Sequence, residues 1–195
     1  MRVGHKLLHG DWRDFCNDVL PQSHAIITDP PYDIEKDELL PLVAWAVGGG
    51  NEQGKRHNLI AFCAPENQYF VPHERAYWIK TPSTKNYIKH LGRFVEMILI
   101  LRGDTFNVLH WSQMTGVYDD RLVHAPVHPW EKPISLIERL VRIYTNPGDT
   151  VYDPFMGSGT TGVACKRLGR NFIGSETNEK YFKIAENRMK GGYDE

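Results

Sequence analysis

The sequence predicts an α/β domain: a mostly parallel, twisted sheet with helices on both faces. Three observations carry that expectation. Short apolar runs alternate with amphipathic stretches along the chain, which is the pattern of strands joined by covering helices. A glycine-rich turn, Gly157-Ser-Gly-Thr-Thr-Gly162, follows one apolar run and opens a helical stretch. The 195 residues, 41% hydrophobic and 24% charged, suffice for one domain with a sizeable core and exclude a disordered, collagen-like or disulfide-scaffold chain.

In chain order, strands are expected at 4–9, 24–28, 58–63, 94–101, 106–110, 150–153 and 171–175, and helices at 11–19, 36–47, 133–144, 160–168 and 178–189. In the third helix Leu136, Leu140, Ile143 and Tyr144 recur at helical spacing, with Ile137 and Val141 widening the stripe that packs on the sheet. The segment 48–54, with glycine at 48–50 and 54, reads as a surface loop. The stretch 104–127 is polar and irregular.

The 23 basic and 24 acidic residues give a formal charge of −1. That excludes a histone-like cation but leaves room for a local basic stripe. Cys16, Cys63 and Cys165 are odd in number and far apart, which favours reduced thiols in a cytoplasmic protein over a disulfide framework. Neither a CxxC pair nor an HExxH segment is present, and no metal is expected. The first residues lack the apolar segment of a signal peptide and no apolar run approaches 18 residues, so neither secretion nor membrane spanning is expected.

The glycine turn has two readings. One is a tight strand-to-helix turn with no ligand. The other is a nucleoside-cofactor bed, in which missing side chains let the backbone approach the ligand and the helix N-terminus offers free N–H groups. Glu176, at the end of the next strand, sits where an acid would meet ribose hydroxyls. No lysine closes the loop, which excludes a GxxxxGK[ST] phosphate grip.

A second motif is Ile26-Ile-Thr-Asp-Pro-Pro-Tyr32. Its prolines forbid both helix and further ladder pairing, so Asp29, Pro30, Pro31 and Tyr32 fall at a carboxyl strand end, where open α/β sheets bind ligands. A rigid Asp-Pro turn with a packed tyrosine is the plain alternative. Methylation of an exocyclic amine would use this set. Such a nitrogen is a poor nucleophile because its lone pair is delocalised into the ring. The Asp29 carboxylate and Pro30 carbonyl can accept its two N–H bonds and favour a pyramidal nitrogen, and Tyr32 offers a ring for stacking. A base inside a duplex must first be flipped out.

Taken together, Asp29-Pro-Pro-Tyr32 and, later in the chain, Asp153-Pro-Phe-Met-Gly-Ser-Gly-Thr-Thr161 resemble the S-adenosylmethionine-dependent amino-group DNA methyltransferases. The order of the motifs resembles the circularly permuted β class. The resemblance covers most of the chain. It implies a circularly permuted Rossmann-like methyltransferase fold over residues 1–195, a prokaryotic or phage-encoded origin and DNA, double- or single-stranded, as substrate. By resemblance, Asp11 meets the cofactor adenine, although it equally suits a helix N-cap. Lys132, in His128-Pro-Trp-Glu-Lys-Pro133, faces the methionine end of the cofactor, where it could pair with the carboxylate or cap local structure. Asp153 binds the cofactor amino end or the glycine loop. Phe155, Gly157, Ser158, Gly159 and Thr160 line the cofactor bed, and Glu176 holds the ribose. Aspartate at 29, where cytosine-N4 enzymes of the family usually carry serine, points to adenine N6. A cytosine-N4 or RNA acceptor, an inactive cofactor-binding partner subunit and a dehydrogenase are the alternatives.

Between Arg75 and Arg102 six basic residues face one acid, Glu96. Trp78, Lys80, Lys85, Tyr87, Lys89 and Arg93 in this segment suit phosphate contact and base stacking, with a solvated charged face as the alternative. The insert 104–127 is too short to fold alone. It implies a short or relaxed recognition sequence, or readout shared across a homodimer.

Overall fold

The computed structural model describes residues 4–48, 56–63, 72–80, 95–105, 107, 116–123 and 126–191. In chain order these form β1 (His5–His9), α1 (Trp12–Val19), β2 (Ala25–Thr28), α2 (Leu40–Val47), β3 (Asn58–Cys63), β4 (Glu74–Ile79), β5 (Val95–Leu101), β6 (Val117–Tyr118), α3 (Ile134–Tyr144), β7 (Thr150–Asp153), α4 (Thr160–Arg167), β8 (Asn171–Glu176) and α5 (Glu179–Lys190), with 3-10 turns at Leu20–Gln22 and Lys36–Leu39. The expected helix 36–47 is thus split. Pro41 stands in the first turn of α2 and has no N–H to continue an α ladder from upstream.

One sheet runs β1-β8-β7-β2-β3-β5-β4-β6. Every pairing is parallel except those of β5, which runs antiparallel to both β3 and β4. β2 and β3 are buried along their whole length, as parallel strands covered on both faces must be. Side chains alternate between two cores. Ile27, Ile60, Phe62, Ile98 and Ile100 pack with α3 and α4. Ile26, Leu59, Met97 and Leu99 pack on the other face with Trp12 of α1 and Leu42 and Trp45 of α2.

β2 and β7 are neighbours, with Ala25 opposite Val151 and Ile26 opposite Tyr152. From β7 the chain crosses through α4 to β8 on one side; from β2 it crosses through α2 to β3 on the other. Right-handed crossovers in opposite directions place their helices on opposite faces. The gap between the two strand ends is the switch point where such sheets bind ligands.

β4 was not expected as a strand. Its residues alternate, with Ala76 and Trp78 inward, but the outward Tyr77 and Ile79 are apolar too, so the period of two is invisible in hydropathy. The expected strand 106–110 and loop 48–54 fall almost wholly outside the described residues, as does much of the insert 104–127. No helix among the described residues is long and apolar enough to cross a membrane.

Candidate active site

A cavity of about 680 Å³ opens at the carboxyl ends of β2, β7 and β8 and is closed from the side by the turn at 128–132. That size suits a cofactor-sized ligand. The residues after β2 and those after β7 meet because the strands are adjacent: Thr28 Oγ1 donates to Asp153 Oδ1 at 2.8 Å across 125 residues of sequence. The Phe155 N–H donates to the same oxygen at 3.2 Å. Burial pushes the Asp153 carboxyl up to about 7, against the pull of hydrogen bonds from Thr28, Thr161 and Phe155.

Past Thr28 the prolines end the ladder and deliver Asp29 to the cavity wall. Lys132 Nζ donates to Asp29 Oδ2 at 2.5 Å and lies 3.0 Å from Glu96 Oε1. Lys80 Nζ is 3.0 Å from Glu96 Oε2, close enough for an ion pair but off the line of a hydrogen bond. Tyr32 Oη donates to Glu96 Oε1 at 3.4 Å. Two carboxylates and two ammonium groups thus compensate one another. Asp29 Oδ1 is buried and has no hydrogen-bond partner among the described residues. Burial, with the nearby Glu96 charge adding to it, raises the Asp29 carboxyl above the usual range, while Lys132 pulls the other way. The same burial and the carboxylates of Glu96 and Asp29 push the Tyr32 phenol up, so it stays protonated.

The glycine turn wraps the other end. Gly157 takes a left-handed φ of +51° and its N–H donates to Glu176 Oε2 at 3.0 Å. Glu176 Oε1 accepts from the Asn178 N–H at 2.8 Å, so the acid at the end of β8 is held in one orientation. Arg188 of α5 donates to Ser158 O and Oγ and to Thr160 Oγ1, and it pairs with Glu131 at 2.8 Å. One buried arginine therefore ties the glycine turn to the segment carrying Lys132. Half-buried Phe155 meets Trp12 edge-on at 6.1 Å.

Residues 43–187 match the family model described as DNA methylase. The chain belongs to this family. It is 34% identical over 156 residues to the type II methyltransferase M2.DpnII of Streptococcus pneumoniae, covering 70% of this chain and 58% of that protein. It is 33% identical over 158 residues to M2.LlaDCHI of Lactococcus lactis subsp. cremoris, covering 71% and 59%. The matches thus span under three fifths of these relatives' length. Among solved structures, the M1.HpyAVI–SAM complex superposes with a TM-score of 0.70 at 30% identity, covering 94% of this chain and 99% of that one.

Within this DNA methylase fold the cavity is lined by Asp11, Asp29, Pro30, Pro31, Tyr32, Lys132, Asp153, Phe155, Gly157, Ser158, Thr160 and Glu176. Asp11 also N-caps α1, accepting from the Arg13 N–H at 2.9 Å, and hydrogen bonding to Arg13 lowers its carboxyl. Gly159 does not line the cavity. Its φ is +83°, and a Cβ there would meet the Ala185 Cβ at 2.9 Å, so glycine is required by packing on α5. Lys132 is engaged by Asp29 and Glu96 instead of standing free for a ligand carboxylate.

The proposed nucleic-acid set is corrected in part. Trp78 is 2% exposed on the inward face of β4, with its Nε1–H donating to Asp120 O at 2.9 Å, so its ring is core and presents no face to a base. Lys80 turns back to Glu96. Lys85, Tyr87, Lys89 and Arg93 lie outside the described residues. Sequence reading missed Glu96, Trp130 and Arg188. Glu96 carried a signal, a lone acid inside the apolar run 95–101. Trp130, 58% exposed, stands edge-on to Tyr32 at 5.5 Å at the cavity and carried none.

Proposed function

We propose that this chain transfers a methyl group from S-adenosylmethionine to the exocyclic amine of a flipped-out base in DNA, with adenine N6 as the acceptor. The observation that carries this reading is the buried Asp29 Oδ1, without a hydrogen-bond partner among the described residues, in a site shared with a glycine turn and an oriented acid, Glu176. Buried polar atoms without a partner are rare in native folds, and Asp29 lines a cavity large enough for a ligand.

The residues present suit the cofactor. Each Glu176 oxygen accepts one backbone N–H and retains a lone pair for a ribose hydroxyl. Phe155 supplies an apolar wall, Asp11 a polar group for the adenine, and Asp153 borders the same space. When bound, the cofactor supplies an activated methyl on a sulfonium that departs as a neutral thioether. The chain's own work is positional. Asp29 Oδ1 and the Pro30 carbonyl accept the two N–H bonds of the amine and turn its lone pair toward the methyl. Lys132 favours the ionised form of Asp29 so that it accepts. As the N–C bond forms, the nitrogen becomes acidic and its surplus proton leaves to Asp29 or to water. Tyr32, 37% exposed, stacks on the base.

Aspartate at position 29 supports adenine over cytosine. The test is transfer of labelled methyl from S-adenosylmethionine to unmodified DNA, followed by nucleoside analysis. Deoxy-N6-methyladenosine is expected, with at least a ~100-fold loss in Asp29→Ala. N4-methyldeoxycytidine would move the acceptor to cytosine, and label in RNA alone would move the substrate. Full activity of Asp29→Ala would overturn the assignment of the acceptor site.

A further inference from the structure

β5 is the reversed strand, so its N-terminal end lies at the rim where the other strands present their carboxyl ends: Glu96 sits opposite Trp78 and Met97 opposite Cys63. A single antiparallel strand thereby brings a carboxylate behind Tyr32 and Lys132, which line the acceptor site. The Glu96 side chain is 2% exposed, within the otherwise apolar run Val95–Leu101. Burying a carboxylate costs several kcal/mol unless it is fully partnered. Its partners here are Lys132, Lys80 and Tyr32, and two of those three touch or belong to the Asp29 segment.

We propose that Glu96 is a positioning residue of the acceptor site, holding the Lys132 ammonium against one oxygen of Asp29 so that the other keeps its lone pairs for the amine. The proposal rests on the methyl-transfer reading above. Lys132 is 2.5 Å from Asp29 Oδ2 and 3.0 Å from Glu96 Oε1, so it bridges the two acids. Phe62, at 5.0 Å, and Trp78, at 6.0 Å, wall the ammonium in, and nothing in those rings could hold it by hydrogen bonding. Without Glu96, Lys132 would be free to swing and chelate both Asp29 oxygens, closing the acceptor that the amine needs. The Tyr32 phenol on the same Glu96 oxygen fixes the ring that faces the base.

Among the described residues, the charged and titratable groups facing Lys132 are Asp29 and Tyr32 after β2, Lys80 after β4, Glu96 on β5, and His128 on its own turn, with Asp153 at the end of β7 and Cys63 at the end of β3 beyond them. Burial favours a neutral Lys132, and the carboxylates of Asp29 and Glu96 outweigh it to hold the amine above its usual range. Removing one of these carboxylates therefore lets the amine lose its proton at lower pH.

The test is Glu96→Gln, which keeps size and removes charge. We expect kcat for methyl transfer to fall about 10- to 100-fold, the scale of misplacing a group that orients the reacting atoms. KM for DNA and the calorimetric affinity for S-adenosylmethionine should stay within about twofold, and the alkaline limb of the kcat profile should move to lower pH. A second readout needs no turnover: acetic anhydride labelling of the ligand-free protein at pH 8, read by mass spectrometry, should modify Lys132 at least about tenfold faster in the variant, because only the neutral amine reacts. Glu96→Gln with Lys80→Gln removes one charge of each sign and carries the same measurements if the single variant does not fold. Unchanged kcat, pH profile and Lys132 labelling in an active background would overturn the proposal. So would a loss of kcat matched by equal loss of cofactor affinity with the profile unmoved, the mark of a merely structural role. A wild-type protein that transfers no methyl group would instead refute the reading beneath it.

Discussion

Arg188 and Glu131 form a buried ion pair between α5 and the turn bearing Lys132, with side chains only 8% and 6% exposed and Nη1 and Oε1 2.8 Å apart. Arg188→Met removes the cation and the donors to Ser158 and Thr160 while filling part of the volume. Among the described residues Glu131 then keeps only the Val127 N–H, on its other oxygen. Stranding one partner of a buried pair costs about 3–5 kcal/mol. The retained Val127 bond puts the expectation near the lower end, and the abandoned Ser158 carbonyl adds about 1 kcal/mol. In a chain of 195 residues, each kcal/mol lowers Tm by roughly 2–4 °C, so a total of about 4 kcal/mol should lower the melt by roughly 8–16 °C. Glu131→Gln should cost less, because its one amide oxygen still accepts from Arg188, although its NH2 then opposes the Val127 N–H. The double variant should be less destabilised than the sum of the two by about 1–3 kcal/mol, since no charge remains unpaired. Urea unfolding of all four proteins measures the cycle. Additivity within about 0.5 kcal/mol would show that the two residues do not act as a pair, and the link between glycine turn and lysine turn would fail.

Gly159→Ala combines a left-handed residue, worth about 1–2 kcal/mol, with an approach of 2.9 Å to the Ala185 Cβ, worth about 1–3 kcal/mol of overpacking. Gly169→Ala has a similar φ of +71° but no atom within 4 Å of the new Cβ, so it should show only the first cost in urea denaturation. Equal losses would discount the α5 contact. For Asp153, whose carboxyl is raised to about 7 by burial, the folded chain holds a proton that the unfolded chain releases between about pH 4 and 7. Its contribution to stability is therefore present at low pH and lost as pH rises through that window. Melts of wild type and Asp153→Asn at pH 5 and pH 8 should show the wild type losing ground to the variant on going to pH 8, and a shift of opposite sign would contradict the burial argument.

Local signals account for much of what could be read along the chain. The apolar runs at β1, β2, β3, β7 and β8 and the amphipathic stripes of α3 and α5 announce themselves because burial on both faces leaves a continuous apolar run and burial on one leaves a period. The Asp29-Pro-Pro break and the Gly157–Gly162 turn are legible for the same reason, since proline and glycine restrict or release the backbone wherever they stand. Partnership across the sheet is not written locally. That Glu96 faces Lys132 and Lys80, that Trp78 turns inward, and that Gly159 answers to Ala185 of α5 depend on strand order and on the single reversed strand. These contacts join residues tens of positions apart, and no periodicity encodes which distant side chain arrives. The motif residues and their order were thus fixed by the chain's own local chemistry, while the orientation of Asp29, one oxygen held and one without a partner among the described residues, arises only when β2, β5 and the 128–132 turn are folded together.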